Sequence, residues 1–171
     1  MNVILPIILV VALITTFLIL RKKNINGTTL EISEEDIIEY TPKNSVLTIF
    51  EMLLLDEINY HRKSIGIPEL IPEKQCRDLA YKHTEYMINK GKPSHDNTFE
   101  RRYELFRRGA TLYGENVAYG YSTGKSFFNA YIKSDGHKKI IETSHFTHIG
   151  VRVLQNSDNK YYNSLIFCRY E

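Results

Sequence analysis

The N-terminal segment is the feature that most constrains this chain. Residues 3–20, VILPIILVVALITTFLIL, contain no charged side chain, and only Pro6, Thr15 and Thr16 interrupt the apolar run. As a helix rising ~1.5 Å per residue, the run would span ~27 Å, which is close to the ~30 Å hydrocarbon core of a bilayer. A buried helix of a soluble domain is expected to have a polar face, and this segment has none. The sequence therefore predicts a transmembrane anchor over residues 1–20.

The flanking residues favour an uncleaved anchor over a cleavable signal peptide. A signal peptide usually has a basic start, a shorter apolar region and a small-residue cleavage site. Here the apolar run follows Met1-Asn2 and leads directly into Arg21, Lys22 and Lys23. Because basic residues tend to remain on the cytoplasmic side of a membrane, these three charges favour a cytoplasmic location for everything that follows them.

The remainder of the chain divides into a linker and one domain. Residues 21–45 contain turn-forming residues, an acidic cluster and the Thr41-Pro42 break, so we predict a linker there and a folded domain over 46–171. A chain of 171 residues has room for about one domain of ordinary size. Its 22 Lys and Arg residues nearly balance 20 Asp and Glu residues. We therefore predict no nucleic-acid partner, since nucleic-acid binders normally carry a clustered basic excess.

Residue patterns predict helices followed by a hairpin. Four segments are predicted to be helical: residues 46–64, 73–90, 99–108 and 125–134. Two strands, Ile149–Val153 and Tyr161–Tyr170, flank a turn-rich segment that is typical of a β-hairpin. This order indicates an α+β fold in which helices cover a small antiparallel sheet.

Three sets of residues in these elements are interpreted as structural. His83 lies on the apolar face of the second predicted helix, so we expect a packed, hydrogen-bonded core histidine. The basic residues of the third predicted helix are expected to form a solvated face; they are Arg101, Arg102, Arg107 and Arg108. Cys76 and Cys168 occupy apolar positions, which favour free buried thiols, although a location outside the cytoplasm would permit a bridge.

Six short motifs occur in order along the predicted domain. They are Asn59…Arg62…Gly66…Leu70, Leu79-Ala80…His83…Met87, Ser94-His95, Gly114-Glu115-Asn116-Val117, Ser134-Asp135-Gly136-His137…Ile140-Ile141 and Phe146-Thr147-His148-Ile149-Gly150-Val151. Together they resemble the CAP superfamily (cysteine-rich secretory proteins, antigen 5 and pathogenesis-related proteins; SCP-like domains), in its compact bacterial-type branch. The resemblance runs from about Leu47 to Phe167. It implies an α-β-α sandwich of the CAP type with a cleft that gathers His95, His137 and Glu115.

The chemistry of these three residues leaves more than one role open. Two imidazoles and a carboxylate can hold a divalent cation such as Zn²⁺ and leave one position for water. Alternatively, Glu115 accepts a hydrogen bond from a ring N–H and fixes the tautomer of a ligating histidine. In a third interpretation, the three side chains form a buried polar network that only organises loops. Residues 131–135 lack the second glutamate of larger family members, so a four-residue site is not expected.

The predicted anchor and the resemblance together indicate a membrane-anchored binding or interaction module outside the cytoplasm. The family is overwhelmingly secreted or surface-exposed, so we expect the domain outside despite the basic residues at 21–23. The expected partners are the membrane, through residues 3–20, and an unidentified protein, glycan or lipid ligand.

A hydrolase is the alternative, because some family members are proposed proteases. Its candidate residues would be Ser94 or Ser134 with His95 or His137 and Glu115. However, Ser94 adjoins His95 in sequence, an unfavourable position for a nucleophile and its base, and no G-x-S-x-G turn is present. A purely structural envelope protein is the third interpretation.

Overall fold

The computed structural model describes residues 47–170, which belong to one compact unit. The helices are α1 (Ile49–Ser64), α2 (Lys74–Lys90), α3 (Thr98–Arg107), α4 (Gly124–Ile132) and α5 (Asp135–Ile141). The strands are β1 (Ile71–Pro72), β2 (Leu112–Tyr119), β3 (His148–Gln155) and β4 (Tyr161–Arg169). The predicted α+β class, the four helical segments and the C-terminal hairpin are confirmed, with shifts of a few residues at their ends.

The helix boundaries follow from local hydrogen bonding. The Thr48 hydroxyl accepts from the Glu51 backbone, and the Glu51 carboxylate accepts from the Thr48 backbone, so this capping box starts α1. Gly91 ends α2 in the left-handed conformation, at a φ of 73°, which glycine adopts without a steric cost.

The sheet has the order β1-β3-β4-β2, which makes β4 a central strand and β2 an edge strand. β4 pairs antiparallel with both β2 and β3, whereas the short β1 runs parallel to β3. Alternate β4 side chains enter two different cores. Leu165 and Phe167 belong to a core shared with α1 and α4, and Ile166 and Cys168 to one shared with α2 and α3. Helices therefore cover both faces of the sheet, in α-β-α layers.

The sequence does not predict two of the elements, the strand β2 and the helix α5. β2 contains Gly114, Glu115 and Asn116, residue types that are depleted in strands, and it is extended because it pairs with β4 along its whole length. The Asp135-Gly136-His137 segment was expected to end a helix, but it begins the separate helix α5.

The predicted anchor and linker lie outside the described residues. Within residues 47–170, no helix combines the length and the apolar character that a bilayer span requires.

Arg62 is buried, and its hydrogen bonds hold the loop that joins α5 to β3. Its side chain is fully buried. Its guanidinium donates hydrogen bonds to four backbone carbonyl oxygens, those of Pro68, Ile141, Thr143 and Phe146. One side chain from α1 thus binds the backbone of two irregular segments.

The close approach of β3 to α2 predicts that Gly150→Ala is strongly destabilising. A Cβ at position 150 would lie 2.1 Å from the carbonyl carbon of Cys76 and 2.2 Å from the backbone nitrogen of Arg77. Because these are backbone atoms, α2 would have to shift, and we expect the free energy of unfolding to fall by about 3 kcal/mol. Urea denaturation measures the change.

Gly136→Ala is the matched control for this substitution. A Cβ at Gly136 would have no atom within 4 Å, and alanine is the better helix former, so stability should be unchanged or slightly higher. Equal stability of the Gly150→Ala variant and the wild type would show that α2 adjusts freely.

Candidate functional site

Glu115 is the centre of a buried cluster of polar side chains at the β2 edge. Its side chain is only 3% exposed. Arg101 binds both carboxylate oxygens, with Nε 2.6 Å from Oε2 and Nη2 2.8 Å from Oε1. The Tyr113 hydroxyl donates to Oε2 at 2.7 Å, and His95 Nδ1 lies 2.8 Å from Oε1. We name His83, His95, Arg101, Tyr113, Glu115 and His137 the β2-edge site.

This environment keeps Glu115 ionised. Burial alone would raise the pKa of Glu115, but its three hydrogen-bond donors outweigh burial and lower that pKa from 4.5 to about 2. Burial likewise opposes the charge of Arg101, and the bond to Glu115 raises the pKa of Arg101 overall. A carboxylate with so low a pKa is a poor proton donor or acceptor near neutral pH.

The prediction that Arg101 lies on a solvated face is wrong. Arg101 is buried in the domain, whereas Arg102, Arg107 and Arg108 are exposed as expected. Arg101 lies four residues before the buried Leu105, so both side chains face inward from the same side of α3.

His95 is half exposed and binds the buried Glu115 through one ring nitrogen. Because Glu115 is a carboxylate, Nδ1 of His95 carries the proton of this hydrogen bond and Nε2 is left as the free nitrogen. The His95 side chain is 52% exposed, in contrast to the 3% exposure of its partner. A histidine oriented by a carboxylate in this way is typical of metal ligands and of general bases.

His83 is the packed, hydrogen-bonded core histidine that was expected. Its Nε2 donates to the carbonyl oxygen of Ser94 at 2.7 Å, and the same nitrogen is 3.6 Å from Oε1 of Glu115. Burial lowers the pKa of His83 in spite of the opposing charge of Glu115. Its Nδ1 is buried without a hydrogen-bond partner among the described residues. The neutral ring therefore fixes the loop that carries His95.

His137 approaches the β2 edge from the other layer of helices. It lies in the first turn of α5, its ring packs edge-on against Tyr131 with centroids 5.3 Å apart, and its carbonyl accepts from Asn116. Its pKa is lowered first by burial and then by the charge of His95. The hydrogen bond from Asn116 places the backbone of His137 beside the residue that follows Glu115 in β2. Glu115 lies in the strand β2 and His137 in the helix α5.

The two candidate serines do not pair with a histidine. The Ser94 hydroxyl accepts from Lys90 and from the Asp96 backbone. Ser134 caps α5 with no side-chain hydrogen bond to the helix. Across residues 47–170, no serine hydroxyl makes a hydrogen bond with an imidazole.

The geometry of Glu115 bears on the expected cation. Each of its oxygens already accepts two hydrogen bonds, so a direct bond to a metal would compete with Arg101. In the described part of the chain, no three His, Cys, Asp or Glu side chains are grouped so that they could hold a metal ion. The arrangement fits the other interpretation, in which Glu115 fixes the tautomer of His95.

The low pKa of Glu115 predicts acid-sensitive folding. Since the unfolded chain binds protons that the folded state excludes, stability is fully present above the ordinary pKa of 4.5 and is lost as the pH falls toward about 2. The loss should reach about 3 kcal/mol. His83 adds an earlier loss below its ordinary pKa of 6.5, because burial also lowers its pKa. Urea denaturation at a series of pH values measures both.

Glu115→Gln should remove the share of the pH dependence between pH 4.5 and 2 that comes from Glu115. Glu100→Gln, which changes an exposed glutamate of α3, is the control and should keep the wild-type profile. An unchanged profile in Glu115→Gln would contradict the assignment.

Comparisons with known proteins agree with this fold and these motifs. The family model described as the cysteine-rich secretory protein family, CAP, matches residues 55–170. The uncharacterized membrane protein YlbC of Bacillus subtilis (strain 168) is 30% identical over 129 residues, which are 73% of this chain and 36% of that protein. The chain thus spans about a third of the length of this curated relative.

Two solved structures resemble the domain. An outer surface protein from Borrelia burgdorferi has a TM-score of 0.65 and 20% identity, and the match covers 74% of this chain and 97% of that chain. An extracellular protein containing a SCP domain from Bacillus anthracis str. Ames has a TM-score of 0.62 and 25% identity, with 74% and 45% of the two chains covered. The family match over most of the chain and the shared fold lead to one conclusion: this chain belongs to the cysteine-rich secretory protein (CAP) family, in its bacterial-type branch.

Proposed function

We propose that this chain is a membrane-anchored binding module, with its CAP domain outside the cytoplasm and its ligand held at the β2-edge site. The observation that carries the proposal is the orientation of His95. Arg101 neutralises Glu115, and Tyr113 also donates to it. This carboxylate in turn binds Nδ1 of His95, so Nε2 of the half-exposed ring is left unprotonated. Such a site offers a rigid ligating group but no paired nucleophile.

The proposed location rests on the relatives and on the N-terminal sequence. The relatives include proteins described as a membrane protein, an outer surface protein and an extracellular protein. Residues 3–20 supply an anchor, and we give the relatives more weight than the three basic residues at 21–23. Protease added to intact cells should digest the domain or its linker, and protection until the membrane is opened would contradict this orientation.

A divalent cation such as Zn²⁺ is the simplest ligand for a pair of imidazoles at this site. His95 and His137 would be its protein ligands, and Glu115 would orient His95 from behind. Because only the neutral ring ligates, affinity should fall as acidic pH protonates the imidazoles, and burial lowers the pKa of His137.

The test is a titration of the purified full-length chain in detergent with Zn²⁺. We expect one equivalent to bind, and we expect His95→Ala and His137→Ala each to abolish binding while leaving the thermal transition cooperative. His145→Ala removes an exposed histidine of the loop before β3 and is the matched control. Absence of Zn²⁺ binding by the wild type, or equal loss in the control, would contradict the cation proposal.

The same samples separate a binding module from a hydrolase. A binding module should leave a panel of unstructured peptides intact. Turnover by the wild type that His95→Ala abolishes would instead identify a hydrolase, and it would overturn the proposed function.

A further inference from the structure

We propose that Cys76 and Cys168 form an intramolecular disulfide that fastens α2 to β4 when the chain folds in an oxidising compartment. Cys76 lies in the first turn of α2, and Cys168 lies near the end of β4. Both side chains are completely buried, and both are free thiols in the structure. Their Sγ atoms are 2.7 Å apart, so the two sulfur atoms are in direct contact.

The surrounding backbone holds this pair in position. Cys168 is in register with Tyr113 on one side and with His148 on the other, so β4 cannot slide there. On the helix side, the Cys76 backbone is packed directly against Gly150 of β3. Closing the two sulfur atoms to the ~2.05 Å of a covalent bond needs a movement of less than ~1 Å. The two sulfur atoms can therefore form a covalent bond without a change of fold.

The chemistry is a thiol–disulfide exchange. A disulfide of an oxidising partner, such as a thiol oxidoreductase or oxidised glutathione, first forms a mixed disulfide with one cysteine. The second cysteine then displaces the partner, so the two thiols of this chain lose two electrons and two protons while the partner is reduced to two thiols.

Burial determines when this exchange takes place. The hydrogen bond with Cys168 and burial raise the pKa of the Cys76 thiol, so the thiolate that attacks a disulfide is scarce once the domain has folded. The exchange is therefore expected while the chain is folding, or when α2 opens locally. Once formed, the bond is shielded from reductants by the same burial.

The bridge should stabilise the domain because it closes a long loop. The two cysteines are 92 residues apart in sequence, and cross-links that close loops of this size restrict the unfolded chain strongly. We expect the Tm of the bridged chain to exceed that of the reduced chain by roughly 10 °C.

The experiment refolds the full chain, purified in detergent, in a buffer of reduced and oxidised glutathione, beside a sample kept in dithiothreitol. The expected product is monomeric, resists alkylation, yields one proteolytic peptide that links Cys76 to Cys168, and has the higher Tm. Alkylation of both cysteines after refolding, stable glutathione adducts, disulfide-linked dimers, or a bridged product with an unchanged Tm would each overturn the proposal.

Two alanine variants control the measurement. Cys76→Ala and Cys168→Ala should each show the same Tm in both buffers, because neither can form the bridge. Since the wild type is compared with itself in the two buffers, the result does not depend on how stable these variants are.

The proposed disulfide rests on the proposed location outside the cytoplasm. A second sample tests the location separately from the disulfide. The chain is trapped by alkylation directly in the cells that produce it. If the bridge forms in the glutathione buffer but both thiols are free in the cells, the proposed Cys76–Cys168 disulfide would be supported and the proposed location would be contradicted. If no bridge forms in the glutathione buffer, the proposed disulfide would be overturned, and the proposed location would be unaffected.

Discussion

The Arg62→Met variant should unfold with a free energy at least ~4 kcal/mol below that of the wild type. Methionine fills much of the space, but it leaves four backbone carbonyl oxygens without the guanidinium that now satisfies them. A buried acceptor without a partner costs about 1–3 kcal/mol. Because the surrounding backbone can relax in part, the total cost for the four carbonyl oxygens should be smaller than four times the largest of these values. Urea denaturation followed by far-UV circular dichroism measures the loss.

Two further variants make the Arg62 result specific. Lys63→Met changes an exposed cation next to Arg62 on α1 and should alter stability by less than ~0.5 kcal/mol. Arg62→Lys keeps the charge but not the planar set of donors, so it should lie between the wild type and Arg62→Met. A loss below ~1 kcal/mol in Arg62→Met would mean that water replaces the guanidinium.

The Arg101→Met variant should lose about 3–5 kcal/mol, because it leaves the Glu115 carboxylate buried without its cation. Tyr113 and His95 still donate to that carboxylate, but neither carries a permanent charge. Arg107→Met, on the exposed side of α3, is the control and should be nearly neutral. The measurement is again the free energy of unfolding from urea denaturation.

The double variant Arg101→Met/Glu115→Leu distinguishes a broken ion pair from lost packing. Removing both partners of a buried pair is often close to neutral, so the double variant should regain at least ~2 kcal/mol over Arg101→Met. If the double variant instead loses the sum of what Arg101→Met and Glu115→Leu lose separately, the interpretation that an unpaired buried charge causes the loss would be contradicted.

Sequence patterns predicted the helices better than the sheet. The apolar faces of α1 and α2 repeat at helical spacing, so both helices can be read from the chain alone. β2 cannot, because the Gly114-Glu115-Asn116 segment has no local preference for a strand and is extended by its long-range pairing with β4.

The candidate site divides in the same way. The family motifs single out His95, Glu115 and His137. The structure joins His95 to Glu115 by a hydrogen bond and places the backbone of His137 against the neighbouring Asn116. Arg101 and Tyr113 are missed, since only tertiary contacts bring them to Glu115. Spacing from the buried Leu105 was the available signal for Arg101, whereas nothing in the sequence around Tyr113 shows that its hydroxyl meets a carboxylate.

The strand order also affects how the domain is made. β4 follows every other element in the chain, yet it lies between β3 and β2. A polypeptide that leaves a ribosome or a translocation channel N-terminus first therefore displays α1 and α2 before the strand that joins the two cores exists. During this interval their apolar faces are open to chaperones and to aggregation. Late completion also keeps the chain extended, which is the state in which a polypeptide can thread through a narrow channel.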